Sequence, residues 1–176
     1  MNQNNWYVIT GAPCSGKTTL IELLEKRGYK VVYETARIYI DNELAKGKTI
    51  EEIRQNELEF QKKVLRMKIN TEKKLSPEEI IFFDRGLPDT EAYFKLHNFK
   101  IDDFVNKAIK KSMYKKIFLL ELIKHKKDYA RTENQKQQKL LQLLLEKVYK
   151  KLNFPIIKVP KMIHKKERLK FILNNL

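Results

Sequence analysis

Cysteine, glycine, proline and arginine are all scarce in this 176-residue chain, and each shortage removes a class of protein. The single cysteine, Cys14, cannot build a disulfide framework or a cysteine-ligated zinc site, which fits a reducing compartment. Five glycines and five prolines are too few for a collagen-like or linker-rich chain. No apolar run approaches the roughly 18 residues that a membrane span requires. The opening MNQNNWYVIT has neither a basic n-region nor a long apolar stretch, so no secretory leader is expected. The chain is close to the soft prior of about 150 residues per domain. With 42% hydrophobic residues it predicts one cytoplasmic domain over residues 1–176.

Acidic residues thin out along the chain. Residues 1–90 carry 15 Lys and Arg against 14 Asp and Glu, whereas residues 91–176 carry 22 against 8. A positive half of this kind favours polyanions: nucleic acid, phosphorylated metabolites or an acidic membrane face. Arginine supplies only 7 of the 37 basic residues, however, and dedicated phosphate and base readers lean on its fork. Lysine drift on solvated helix faces is the plainer reading, so nucleic acid is a possible partner but not the favoured one.

The remaining pattern is an alternation. Short apolar runs at Trp6–Thr10, Lys30–Tyr33, Ile80–Phe83, Lys116–Leu120 and Phe154–Val159 predict five buried strands. Helical periodicity lies between them: Lys17–Arg27, a segment from Thr35 toward Gly47, and Pro88–Leu96, then Asp102–Met113, Leu140–Val148 and Lys165–Leu173. Thr49 with Glu52 forms a capping box predicted to open one long helix through Ile53, Phe60, Val64 and Met67, ended by Ser76-Pro77. The polar stretch Lys124–Lys139 reads as a mobile segment or an exposed helix. Strands alternating with helices give an α/β fold with a five-stranded parallel sheet.

Gly11-Ala12-Pro13-Cys14-Ser15-Gly16-Lys17-Thr18 fits G-x-x-x-x-G-K-[ST], after a buried strand and opening a helix. The glycines allow the tight loop whose N–H groups can surround a phosphate. Lys17 can reach the β- and γ-phosphate oxygens, the Thr18 hydroxyl can ligate Mg²⁺, and Ser15 and Thr19 can add donors. The predicted ligand of residues 11–19 is a nucleoside triphosphate, ATP or GTP, with Mg²⁺.

Two further strands deliver acids to the same edge. Asp84, after Ile80-Ile-Phe-Phe, stands where a carboxylate can hold a Mg²⁺-water or take a proton, unless it only caps the next helix. Arg85 beside it could hold a phosphoryl or substrate oxygen. Glu34 closes the second strand with Arg37 one helical turn later, an acid and a fork facing an acceptor; a surface salt bridge is the alternative. After the fourth strand come Lys124, His125, Lys126, Lys127, Asp128 and Arg131, where a lid cation would neutralise charge in phosphoryl transfer. Arg131 is the best of these.

Missing motifs narrow the class. No N-K-x-D and no D-x-x-G occur, against a Ras-like GTPase. One domain cannot be a two-lobed helicase, and the helical lid domain of an oligomeric AAA+ machine is lacking.

Taken together, the phosphate loop, Glu34-Thr-Ala-Arg37, FFDRG, KIFLL and the Arg-bearing polar stretch resemble the AAA-type P-loop ATPase/kinase family that includes the ribosylnicotinamide kinase domain of NadR. The likeness runs from Trp6 to about Leu173. It implies a P-loop, nucleoside- or nucleotide-kinase-like fold with a lid, using ATP or GTP and Mg²⁺. The leading expectation is a small-molecule kinase with Lys17, Glu34, Asp84, Arg85 and Arg131 in catalysis. Glu34, Arg37 and Arg85 would bind the acceptor, and Thr18 and Asp84 the metal. The alternatives are a nucleotide-responsive ATPase or GTPase that binds a protein partner or anionic lipid, and a polynucleotide 5′-kinase.

Overall fold

The computed structural model describes residues 4–123, 133–161 and 164–176. Five parallel strands form one sheet: β1 (Trp6–Thr10), β2 (Lys30–Val32), β3 (Ile81–Asp84), β4 (Lys116–Leu120) and β5 (Ile156–Val159). Their spatial order is β2-β3-β1-β4-β5. β1 is central, with Trp6 opposite Ile81 on one side and Tyr7 opposite Lys116 on the other.

Because side chains alternate along a strand, the two faces of the sheet take different residues. Trp6, Val8, Ile81, Phe83, Ile117 and Leu119 point to one face. There they meet α5 (Asp89–Leu96) through Ala92 and α7 (Gln135–Lys151) through Leu141, Leu145 and Val148. Tyr7, Ile9, Phe82, Phe118 and Leu120 point to the other face. They pack on Leu20, Ile21 and Leu24 of α1 (Lys17–Glu25) and on Leu169 and Ile172 of α8 (Lys165–Leu173). Burial on both faces explains why the strands read as continuous apolar runs rather than as alternating ones. Each fully buried Leu, Ile or Phe contributes about 1.5–3 kcal/mol.

α2 (Thr35–Leu44), α3 (Ile50–Arg54) and α4 (Glu57–Glu72) share a small cluster of Ile40, Ile53, Phe60 and Val64. Farther along α4, Leu65 packs with Phe94 of α5 and with Val105 and Ile109 of α6 (Asp103–Lys110).

The single helix expected from Thr49 onward is two helices. Thr49 and Glu52 do form the capping box, but α3 stops after five residues. Asn56 turns extended at φ −116° and its side chain accepts from the Glu59 N–H, capping α4 afresh. A new Asn cap thus competes successfully with continuation of the helix. β3 also starts one residue later than expected and takes in Asp84, leaving Ile80 exposed. Among the described residues no helix is long and apolar enough to cross a membrane. Arg131 and residues 124–130, the expected lid cations, lie outside the described residues.

Candidate functional site

The phosphate-loop sequence leaves β1 at Gly11 and enters α1 at Lys17. Gly11 has φ +146°, and a Cβ there would sit 2.8 Å from the Leu120 carbonyl, so no other residue fits. Gly16 takes the left-handed conformation at φ +86° and begins α1 with no side-chain cap. The first N–H groups of α1 therefore have no side-chain acceptor at Gly16, the arrangement that suits an anion.

Residues far along the chain hold the loop from behind. The Ala12 N–H donates to Gln142 Oε1 at 2.8 Å, and Gln142 Nε2 donates to the Leu120 carbonyl at 3.0 Å. Arg168 Nη1 donates to the Ser15 carbonyl at 2.6 Å, while its other nitrogens donate to the carbonyls of Pro160 and Glu121. Lys17 folds over the same loop. Its Nζ donates to Gly11 O at 3.0 Å, Ala12 O at 3.1 Å and Ser15 Oγ at 3.3 Å. Burial, with the neighbouring Arg85 charge, brings the Lys17 pKa down to about 8.

The carboxyl ends of β2 and β3 bring the remaining charges together. Arg85 Nε donates to Glu34 Oε1 at 2.7 Å. Its Nη1 reaches Gly11 O and Asp89 Oδ1, both at 3.2 Å, and its guanidinium lies 5.3 Å from the centre of the Tyr93 ring. Arg85 has φ +73°, a left-handed backbone that a non-glycine residue adopts at a cost of order 1–3 kcal/mol. Asp89 offsets that cost. It is fully buried and accepts from Thr10 Oγ1, Arg85 Nη1, the Gly86 N–H and Tyr149 Oη. Burial alone would raise Glu34, but the charges of Arg85, Lys17 and Arg37 outweigh it and hold the carboxyl at about 2. Glu34 pairs with Arg85 across the strand ends, and the charge of Arg37 adds to the pull on it.

Asp84 is different in kind. It is 2% exposed, and neither carboxylate oxygen has a hydrogen-bond partner among the described residues. Burial and the adjacent Glu34 charge push its pKa up to about 7. It is not a helix cap: α5 starts at Asp89, with Pro88 at its N-cap and no side-chain cap.

A cavity of about 140 Å³ joins the phosphate loop to Glu34 and Arg85. Lys17, Thr18 and Thr19 form one wall, and Glu34, Arg37 and Arg85 lie beside them. The rest is an aromatic and aliphatic slot of Ile40, Phe60, Val64 and Tyr93, edged by Arg54, Gln61, Lys68 and Glu133. Asp84 is not on the cavity wall; the carboxylates that line it are Glu34, beside the phosphate loop, and Glu133. Asp89, Gln61, Lys68, Gln142 and Arg168 were not anticipated. In sequence each is one polar residue on an amphipathic helix. A signal existed for α4 alone, where Gln61 and Lys68 stand seven residues apart on the side of the helix that also carries Val64.

A parallel sheet in the order 2-3-1-4-5, whose central strand runs through a glycine-bounded loop into a helix, is a P-loop NTPase fold. The chain belongs to the AAA domain family, whose pattern matches residues 6–168. No curated protein matches it. Among solved structures it is similar to the deoxyadenosine kinase from M. mycoides with bound dATP, at 19% identity and a TM-score of 0.66 over 97% of each chain. It is similar to thymidylate kinase from Ehrlichia chaffeensis, at 14% identity and a TM-score of 0.67 over 99% of this chain and 98% of that one. It also resembles NadR protein in complex with NR, at 17% identity and a TM-score of 0.71, over 96% of this chain but 49% of that one.

Proposed function

We propose that this protein is a small-molecule kinase that moves the γ-phosphoryl group of ATP to a hydroxyl of a nucleoside- or nucleotide-like acceptor. The observation that carries this reading is the continuity of one cavity from the phosphate-loop residues Lys17 and Thr18 past Glu34 and Arg85 into an apolar, aromatic slot. Beyond the phosphate-loop residues the slot is lined by Ile40, Phe60, Val64 and Tyr93, an apolar and aromatic lining suited to a heterocycle. The similar folds of a deoxyadenosine kinase and a thymidylate kinase support it.

In this reading the loop N–H groups and the start of α1 bind the triphosphate, with Lys17 swinging from Gly11 and Ala12 onto its oxygens. Phosphoryl transfer has a loose transition state, so catalysis is mostly alignment and charge neutralisation. Glu34 accepts a hydrogen bond from the acceptor hydroxyl, orients it and receives its proton. Arg85, pre-aimed by Asp89, holds an oxygen of the transferring group. Arg37 and Arg131 are assigned to acceptor and phosphate charge respectively.

Asp84 fits magnesium: a buried, unpartnered carboxylate beside a phosphate loop is an oxygen donor awaiting a cation or its water. Among the described residues no cluster of three or more His, Cys, Asp or Glu could hold a metal. That suits Mg²⁺, which uses one or two protein oxygens and takes the rest from phosphate and water. Thr18 and Asp84 would hold it, and it would neutralise the β- and γ-oxygens when bound.

The test is purified protein with ATP·Mg²⁺ and a panel of nucleosides and nucleoside monophosphates, read as ADP formed. Acceptor-dependent ADP supports the reading; its absence across the panel overturns it.

A further inference from the structure

Helix α7 reaches the site at two points. Gln142 bridges the Ala12 N–H and the Leu120 carbonyl, and Tyr149 donates from Oη to Asp89 Oδ2. Seven residues of helix put the two on one side of α7, about 10 Å apart along its axis. Tyr149 is buried in the core cluster with Tyr114, Leu145 and Val148, and its ring packs against Phe154. Burial and the charge of Asp89 push its phenol well above the ordinary value, so the hydroxyl stays protonated and keeps donating. Neither Tyr149 nor Asp89 lines the cavity.

The Asp89 carboxylate takes two donors on each oxygen. Oδ1 accepts from Thr10 Oγ1 at 2.6 Å and from Arg85 Nη1 at 3.2 Å; Oδ2 accepts from the Gly86 N–H at 3.1 Å and from Tyr149. Arg85 and Gly86 belong to the very turn that Asp89 steadies. Only Thr10 and Tyr149 therefore tie this carboxylate to elements outside residues 85–89. Arg85 in turn has Nε on Glu34 and Nη1 shared between Gly11 O and Asp89. Its Nη2 makes no hydrogen bond among the described residues, which leaves that nitrogen for an oxygen of the group in transfer.

We propose that Tyr149 is a positioning residue for phosphoryl transfer: through Asp89 it fixes the plane of the Arg85 guanidinium. The inference rests on the kinase reading above and goes beyond it by giving α7 a part in the reaction. Without the Tyr149 hydroxyl, Oδ2 keeps only the Gly86 N–H, and the carboxylate can turn about its Cβ–Cγ bond. Nη1 then loses a fixed acceptor and Nη2 its aim. A loose transition state is stabilised mostly by alignment and charge, so the loss falls on turnover and spares binding of either substrate.

The experiment measures kcat and both KM values, with ATP·Mg²⁺ and the best acceptor of the panel, in the wild type, Tyr149→Phe, Arg85→Lys and the double variant. Phe fills the same space without the hydroxyl. Expected in Tyr149→Phe is a kcat lower by about 10–100-fold, the cost of a small misplacement, with both KM values nearly unchanged. In Arg85→Lys the fork that Tyr149 serves is gone, so adding Tyr149→Phe costs little more; a merely structural role would make the two losses add. The ATP-induced rise in melting temperature checks that each variant has folded. Should Tyr149→Phe not fold, Asp89→Asn carries the test, with the same fall in kcat and the same non-additivity with Arg85→Lys expected. Wild-type kcat, a loss confined to KM, or full additivity overturns the role of Tyr149 and leaves the kinase reading standing. No acceptor-dependent ADP from the wild type with any compound overturns the kinase reading, and this inference with it.

Discussion

Arg85 Nε stands 2.7 Å from Glu34 Oε1, joining residues 51 apart in sequence across the ends of two adjacent strands. The pair fixes one cation and one carboxylate of the cavity wall in one geometry. Glu34→Gln keeps size and one acceptor but loses the charge that Arg85 balances. Turnover is expected to fall about 10²–10⁴-fold, the range of a lost general base, with ATP affinity within a few-fold of the wild type. A variant that retains wild-type turnover overturns the role of Glu34.

Lys17→Ala leaves Gly11 and Gly16 in place but removes the cation that reaches the phosphates. Saturating ATP·Mg²⁺ at about 100 times its dissociation constant adds roughly 2.7 kcal/mol to the wild type by mass action. The variant is expected to show almost no ATP-induced rise in melting temperature. An unchanged rise removes Lys17 from the nucleotide site.

For Asp84, the relevant measurement is a magnesium titration. Asp84→Asn is expected to lower apparent Mg²⁺ affinity or turnover by about 10–100-fold, as for other groups that support a metal. Binding of ATP measured in EDTA should persist. Equal Mg²⁺ dependence in variant and wild type assigns Asp84 no part in holding the ion.

Glu72 makes a prediction about pH. Burial raises its carboxyl to about 7 against the opposing pull of the Tyr114 hydrogen bond and the Lys68 charge. Below about 4.5 the group is neutral whether the chain is folded or unfolded. Between 4.5 and 7 the unfolded chain ionises first, so this group's contribution falls as pH rises through that window and is level above it. Glu72→Gln cannot ionise. Its melting temperature relative to wild type should therefore climb from pH 4.5 to 7.5, at about 2–4 °C per kcal/mol for a domain near this size. A difference that stays constant with pH overturns the assignment.

Gly86→Ala tests the packing around the Arg85 turn. A Cβ at Gly86 would lie 2.8 Å from Tyr149 Oη and 2.9 Å from the Tyr114 ring, displacing the hydroxyl that donates to Asp89. Overpacking of this kind costs about 1–3 kcal/mol. The variant is expected to melt lower and to turn over more slowly. Wild-type stability and rate in the variant would show that the turn tolerates displacement of Tyr149.

The five strands and the phosphate loop were legible in the sequence because each depends on local chemistry: apolar runs with glycine, and a fixed spacing of Gly11, Gly16, Lys17 and Thr18. The end of α3 was not, since a capping box marks where a helix starts and says nothing of the Asn56 cap that ends the run. Asp84 and Glu34 could be placed at the sheet edge from strand endings alone. The pairing of Glu34 with Arg85 could not, because the two are 51 residues apart and only the parallel pairing of β2 with β3 brings them within hydrogen-bond reach. Asp89 reads as an ordinary first-turn acid of α5, and only the fold reveals that four donors converge on it.

The phosphate-loop motif is complete by Thr18, yet its shape depends on Leu120, Gln142 and Arg168. During synthesis, a nascent chain displays every motif residue long before it holds the struts that set the loop. A ribosome-stalled chain ending before α7 would carry the whole motif and still bind ATP poorly. Affinity would emerge only once the last third of the polypeptide has been made and packed, so that nucleotide capture marks the completion of folding.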